Sequence, residues 1–177
     1  MVVHKIIRGF LGVVGVVVVA FTMLSVVAVW SGYRFNPSSS APVGIWKISA
    51  RDPQRFSVGE YVFICPPIHD VVSDLVKDGH LFRGRCESGT VPFIKEVIAR
   101  GEGSFRVGDD GVYIDGELIP ETAPYPWHNL HPAAATDIKS DEFIAIQTMH
   151  AGSIDSRYFG PLLAADVIGV IEPVWIF

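Results

Sequence analysis

The sequence predicts a mainly β domain with one short helix, preceded by a single N-terminal transmembrane helix. Three observations predict it. Phe10 to Trp30 is a continuous apolar run, with no charged residue between Gly9 and Gly32. Beyond residue 31 the apolar residues fall into short β-branched and aromatic runs, punctuated by Gly, Pro and Asp. Only the stretch from Ile68 to Val76 carries a helical period there.

A chain of 177 residues accommodates one domain plus an anchor. Nearly half of it is hydrophobic (49%), and most of the excess lies before residue 31. The net charge of -5 offers no basic face to a polyanionic backbone, so nucleic acid is not an expected partner. The six histidines and two cysteines form no compact ligand run. His128 and His131 are the nearest pair, and without a second pair or a nearby cysteine they read as loop residues. No metal and no cofactor are expected.

Residues 1–8, with His4, Lys5 and Arg8, read as a short cytoplasmic tail. Residues 9–30 read as a transmembrane signal-anchor. At about 1.5 Å per residue the run from Phe10 to Trp30 reaches roughly 32 Å, against a bilayer core of about 30 Å. Trp30 and Tyr33 fall at the interfacial position that aromatics favour. A cleaved signal peptide would have an apolar region of only about 7–15 residues followed by a small-x-small site, and neither feature fits. Basic residues before the span place the N-terminus inside, although Arg34 and Lys47 beyond it dilute that bias. Residues 31–177 are then an extracytoplasmic domain.

In that domain, Gly44–Ile48 and Glu60–Cys65 read as strands, the second ended by Pro66-Pro67. Ile68, Val71, Val72, Leu75 and Val76 recur at helical spacing, and Gly79 stands at the expected stop. Val91–Ala99 is a strand, and Gly111–Ile119 is a hairpin turning on Asp115-Gly116. Pro120–Ala135 is a polar, Pro- and aromatic-rich loop, and Phe143–Ile146 and Val167–Ile171 are further strands. Cys65 and Cys86 bracket the helix. Outside the cytoplasm two cysteines are expected to form one disulfide, two separate buried thiols being the alternative.

Three stretches could carry chemistry. Asn36-Pro37-Ser38-Ser39-Ser40-Ala41-Pro42-Val43-Gly44-Ile45-Trp46 offers hydroxyls just beyond the anchor, although a Ser/Pro cluster alone also describes a linker. Lys95 shares its strand face with Phe93 and Val97, where desolvation would lower its pKa and leave a neutral amine able to act as a base. A snorkelling or edge-strand lysine is the plainer reading. In Gly152–Pro161, an extended backbone would put Ser153, Asp155 and Arg157 on one face, where Asp155 and Arg157 can pair. A structural turn with a salt bridge explains them equally well.

In ordered combination these stretches resemble the signal peptidase I family of serine proteases, in particular its conjugative-transfer (TraF-type) branch. Asn36, Ser38, Ser40, Pro42, Gly44 and Trp46 match the spacing of that branch's nucleophile stretch. Pro92–Gly103 resembles its lysine box and Ser153–Pro161 its last box, while Cys65-Pro66-Pro67 and Gly84-Arg85-Cys86 also look like this branch. The resemblance runs over residues 31–173. It departs at Gly103-Ser104 (usually Gly-Asp), at Lys139–Glu142, where a Gly is expected before the Phe143 strand, and at Trp46 (usually Tyr).

The resemblance implies Ser40 as nucleophile, neutral Lys95 as its general base, and the Ser40 N–H with the Ser38 hydroxyl as the oxyanion hole. Ser153 would orient the Lys95 amine, and Asp155 with Arg157 would support the box. It implies a signal-peptidase-like β fold and a Ser/Lys endopeptidase held in the inner membrane through residues 9–30, with its site outside the cytoplasm. The partner would be an exported precursor, a pilin-like subunit of a conjugation or type IV secretion apparatus, bound as an extended strand. Hydrolysis and acyl transfer to a cyclised product are both open to such a site. A catalytically silent, membrane-tethered assembly factor is the rival reading.

Overall fold

The computed structural model describes residues 2–126 and 130–177. Met1 of the expected tail and His128 of the His128/His131 pair lie outside the described residues. The chain divides into two compact units, the first ending at Arg34 and the second running from Phe35 to Phe177.

The first unit is helix α1, Val2–Trp30. Its segment Gly9–Trp30, 22 residues, is long and apolar enough to cross a membrane. Its Val, Leu and Phe side chains are exposed, as on a helix with no protein core to cover them. The two hydroxyls in the span are satisfied locally, Thr22 donating to the Val18 carbonyl and Ser25 to that of Phe21.

The second unit is mainly β. A seven-stranded sheet runs in the order β1 (Tyr33–Asn36), β2 (Gly44–Ile48), β11 (Val167–Ile176), β3 (Tyr61–Ile64), β4 (Phe93–Arg100), β9 (Glu142–Ile146) and β10 (Leu162–Leu163). A four-stranded sheet runs β7 (Glu117–Ile119), β6 (Gly111–Ile114), β5 (Gly103–Gly108) and β8 (Thr136–Ile138). Ala99, Ile144 and Ile146 of the large sheet pack with Phe105, Val112 and Ile138 of the small one, which joins the two. Phe56, Val62, Ile64, Val97, Phe143, Ala145, Leu162, Val167 and Val170 form the larger core on the seven-stranded sheet.

The expected strands and the hairpin are present. Asp115 (φ 51°) and Gly116 (φ 82°) take the left-handed conformations that a two-residue hairpin turn requires. Asp115 also accepts from the Ser104 N–H at 2.7 Å, so Ser104 is tied into the small sheet despite departing from the Gly-Asp pattern. The expected helix is α2, Asp70–Lys77, and it is shorter than the periodicity alone predicts. His69 Nδ1 accepts from the Val71 N–H at 3.2 Å and caps the N-terminus, which leaves Ile68 outside the helix and exposed. Val72 and Leu75 are its buried face. A second short helix, α3 (Ser156–Phe159), was not expected. Its Ile154 and Tyr158 neighbourhood packs with Leu75, so α2 buttresses the last box.

Strand β11 continues well past Ile171, through Pro173. It pairs with β3 only over Val167–Val170, so Pro173 lies where β2 is the neighbour that pairs with it. A missing N–H is tolerated at such a half-paired position. Across that pairing Ile176 sits opposite Gly44. A Cβ on Gly44 would come within 2.1 Å of the Trp175 carbonyl oxygen, so close backbone approach demands glycine there.

Cys65 and Cys86 form the expected disulfide, with Cα atoms 5.5 Å apart. It ties the end of β3 to the loop after α2. Closing a loop with a sequence separation of 21 contributes about 3 kcal/mol in the chain-entropy picture. The double variant Cys65→Ser/Cys86→Ser should therefore melt on the order of 10 °C lower than the oxidised protein in detergent. A shift of only a degree or two would place the staple in a segment that opens separately from the core.

Candidate active site

The nucleophile stretch is built by Asn36. Its side-chain amide faces the carbonyls of Ser38, Ala41 and Pro42 at 2.9, 3.0 and 3.1 Å, while its Oδ1 accepts from the Ser38 N–H at 3.2 Å. One side chain thus wraps the backbone from residue 36 to residue 42 around itself. Ser39 and Ser40 occupy a turn between the flanking prolines. Ser38 and Ser40 still meet, through the turn and not through strand alternation: their Oγ atoms are 2.8 Å apart. Ser39 is exposed at the turn. The Ser40 N–H donates to Ser38 Oγ at 3.2 Å, so the two expected oxyanion donors bond to one another in this arrangement.

Trp46 anchors the far end of the stretch. Its indole is fully buried, donates to the Pro42 carbonyl at 3.0 Å and meets Tyr61 edge-on at 5.1 Å. The indole N–H therefore has a partner, which is what a buried tryptophan needs. Ala41 and Trp46 pack with Ile94 and Ile171 in one apolar cluster. The immediate neighbours of Ser40 and Lys95 are thereby held in a single piece of core.

Lys95 lies on β4, opposite Val62 of β3, and is 3% exposed. Its Nζ donates a hydrogen bond to Ser153 Oγ and sits 5.3 Å from the centre of the Phe93 ring. Burial penalises the ammonium and is the leading cause that takes its pKa from the ordinary 10.5 down to about 8; Asp155 pulls upward and Arg157 downward. The snorkelling alternative does not describe this side chain, because its amine is as buried as its stem.

The last box is not extended. Asp155 caps α3, accepting from the Arg157 N–H at 3.2 Å, and the Arg157 guanidinium folds back on the same carboxylate. Arg157 Nε reaches Asp155 Oδ1 at 2.8 Å and Nη2 reaches Oδ2 at 2.8 Å, both side chains being fully buried. This is the bidentate geometry that arginine and carboxylate favour. The guanidinium also donates to the carbonyls of Ser153 (3.1 Å), His150 (3.4 Å) and Ala123 (3.1 Å). Burial works against its charge, but the hydrogen bond and charge of Asp155 outweigh it and keep the arginine ionised. Asp155 Oδ2 accepts the Gln147 N–H at 3.2 Å and Ser156 Oγ accepts the Ala145 N–H at 3.1 Å, so the box is fastened to the end of β9. Strand β9 pairs with β4, and that pairing is what brings Ser153 to Lys95.

The structure thus brings Lys95 to Ser153, Ser38 to Ser40, and Asp155 to Arg157. Among the described residues no hydrogen bond joins Ser40 to Lys95 directly. Sequence reasoning assigned no role to Asn36, although an Asn two residues before a Ser is a recognisable side-chain turn signal. It also missed Tyr158, whose hydroxyl accepts from the Tyr125 N–H at 2.9 Å and donates to the Tyr125 carbonyl at 3.2 Å. With the Ala133 N–H on the Arg157 carbonyl at 2.8 Å, these bonds moor the long loop after β7 to the box.

The chain is 35% identical over 152 residues to a probable conjugal transfer protein TraF of Sinorhizobium fredii, covering 83% of this chain and 79% of that protein. It is 32% identical over 168 residues to a plasmid transfer protein TraF of Escherichia coli, covering 90% and 93%. A conjugal transfer protein TraF of Agrobacterium fabrum is 31% identical over 180 residues, covering 95% and 94%. A solved signal peptidase I from Enterococcus faecalis is a distant neighbour, 15% identical with a TM-score of 0.37, covering 66% of this chain and 96% of that one. Residues 6–176 match the family described as signal peptidase, peptidase S26, and the chain belongs to that family of serine peptidases.

Proposed function

We propose that the protein is a membrane-anchored endopeptidase that cuts exported precursors with a Ser40/Lys95 dyad. The observation that carries the reading is Lys95: a buried amine, depressed to a pKa of about 8 and oriented by a serine hydroxyl, on a strand where a purely structural residue would be apolar. A silent assembly factor gains nothing from keeping such a group.

In this reading neutral Lys95 takes the proton of Ser40 as Oγ attacks the scissile carbonyl. The oxyanion is met by the Ser40 N–H and, after it turns from Ser40, the Ser38 hydroxyl. The tetrahedral intermediate collapses, the leaving amine takes the proton back from Lys95, and an acyl-enzyme remains on Ser40. Water releases it as an acid; an amine of the substrate itself would release it as a new amide. Asn36 sets the turn that holds both serines, and Ser153, fixed through Arg157 and Asp155, directs the lysine lone pair.

The substrate class rests on the relatives, which are named as conjugal or plasmid transfer proteins. A pilin-like subunit of a conjugation or type IV secretion apparatus, entering as an extended strand, is the substrate we propose. With Gly9–Trp30 as anchor in the inner membrane, the catalytic unit would meet it outside the cytoplasm.

Co-expression with the pilin precursor of a conjugation system should give processed product with the wild type and none with Ser40→Ala or Lys95→Ala. Processing that survives both substitutions would exclude the dyad, and mass analysis of the wild-type product termini separates hydrolysis from cyclisation. The rate should climb as pH rises through about 8, because only the deprotonated lysine can accept the serine proton; a rising limb centred near pH 6 would point to another base. Ser38→Ala should fold normally and lower kcat by about 10²–10³, the loss expected for one oxyanion donor. An unchanged kcat would leave the Ser40 N–H as the sole donor.

A further inference from the structure

Gln147 is the first residue after β9, and it is 0% exposed. Neither Nε2 nor Oε1 of its carboxamide has a hydrogen-bond partner. A buried, unpaired amide lowers stability, so its presence calls for a state in which it does have a partner. Its backbone is not free to swing away, since the Gln147 N–H is held by Asp155.

The end of the β4–β9 pairing points to that partner. Val97 pairs with Ala145 and Glu96 with Ile146, where the pairing ends, so Gln147 follows directly on the partner of Glu96 while Lys95 directly precedes Glu96 on β4. Elsewhere Lys95 is faced by Val62 from β3, by Ser153, Asp155 and Arg157 from the last box, and by Phe93 on its own strand. His150, in the same loop as Gln147, has a buried and unpaired Nδ1 as well.

The two protonation states of Lys95 make different demands. A neutral amine in a buried site needs few partners. The ammonium formed once Ser40 gives up its proton has three N–H donors and no water to receive them. Ser153 Oγ accepts one and Ser40 Oγ faces a second in the proposed mechanism. We propose that Gln147 is a positioning residue whose Oε1 accepts the third N–H of the Lys95 ammonium, stabilising the protonated base while the tetrahedral intermediate exists. The amide is an acceptor left open at rest and used at the step where charge develops. This inference rests on Lys95 being the general base.

The test uses the full-length protein in detergent, with lysine side chains labelled with 15N and the Lys95 Nζ signal assigned by its loss in Lys95→Ala. Gln147→Met keeps the volume and removes the acceptor; it should lower the Lys95 titration midpoint by about one pH unit, a tenfold shift in its protonation equilibrium. Gln147→Glu places a carboxylate there and should move the midpoint upward. With a co-expressed pilin precursor, Gln147→Met should process about tenfold more slowly, and the acid limb of its rate profile should move with the midpoint. Its melting temperature should not fall, because the lost polar atoms had no protein partner at rest. A midpoint unmoved by either variant, or a lower melting temperature with an unmoved midpoint, overturns the proposal and makes Gln147 a packing residue. Should Gln147→Met fail to fold, the direction of the Gln147→Glu shift decides alone. Processing that persists in Lys95→Ala would instead sink the dyad, whatever the midpoint does.

Discussion

Solvent reaches neither charge of the Asp155–Arg157 pair, whose atoms approach to 2.8 Å. Removing either partner would strand the other as an uncompensated buried ion, so the two behave as one structural unit. The surroundings of Lys95 hang from it: the carbonyls of His150 and Ser153 on the guanidinium, the Gln147 N–H on the carboxylate, and the loop after β7 through Ala123. Ser153 owes its position to this net and not to any hydrogen bond of its own backbone alone. The same pair acts on Lys95 with opposite signs, Asp155 favouring the ammonium and Arg157 opposing it. Desolvation is therefore left as the main determinant of the lysine's basicity.

The other half of the site is organised independently. Asn36 folds the serine stretch around its own amide, and Trp46 pins the adjoining strand by burying its ring and donating to Pro42. Strands β2 and β4, which carry these two halves, are separated in the sheet by β11 and β3. The packing of Ala41 and Trp46 with Ile94 and Ile171 bridges that gap. A side-chain turn and a buried ion pair are thus two separate local devices, each set against a strand of the same sheet.

Some of this was legible from the residues. Strict periodicity identified α2, and Asp115-Gly116 identified the β6–β7 turn, because both signals are local and need no distant partner. Strands β5 and β8 were missed. Gly103–Gly108 is interrupted by Ser and Arg, and Thr136–Ile138 is too short to show alternation, so pairing with each other and with β6 is what makes them strands. The end of β11 was missed because Pro173 reads as a stop unless one knows that only β2 pairs with that part of it. Ser38 and Ser40 are put side by side by a turn closed by the Asn36 side chain, which no periodicity of the sequence shows.

The residues alone specify the apolar span before Trp30, the mainly β character of the remaining chain, and the groups that the proposed site draws on: hydroxyls at 38, 40 and 153, an amine at 95, and an Asp/Arg pair two residues apart. Those are properties of composition and short-range spacing, and they survive without knowledge of any contact. Three-dimensional packing was needed to show that Lys95 is buried and not snorkelling, that Cys65 meets Cys86, and that Gln147, just past the end of β9, is buried with its amide unpaired. Each of these depends on strand register and on what covers a face. Register is set by pairing partners far away in the chain, so no local window of sequence contains it.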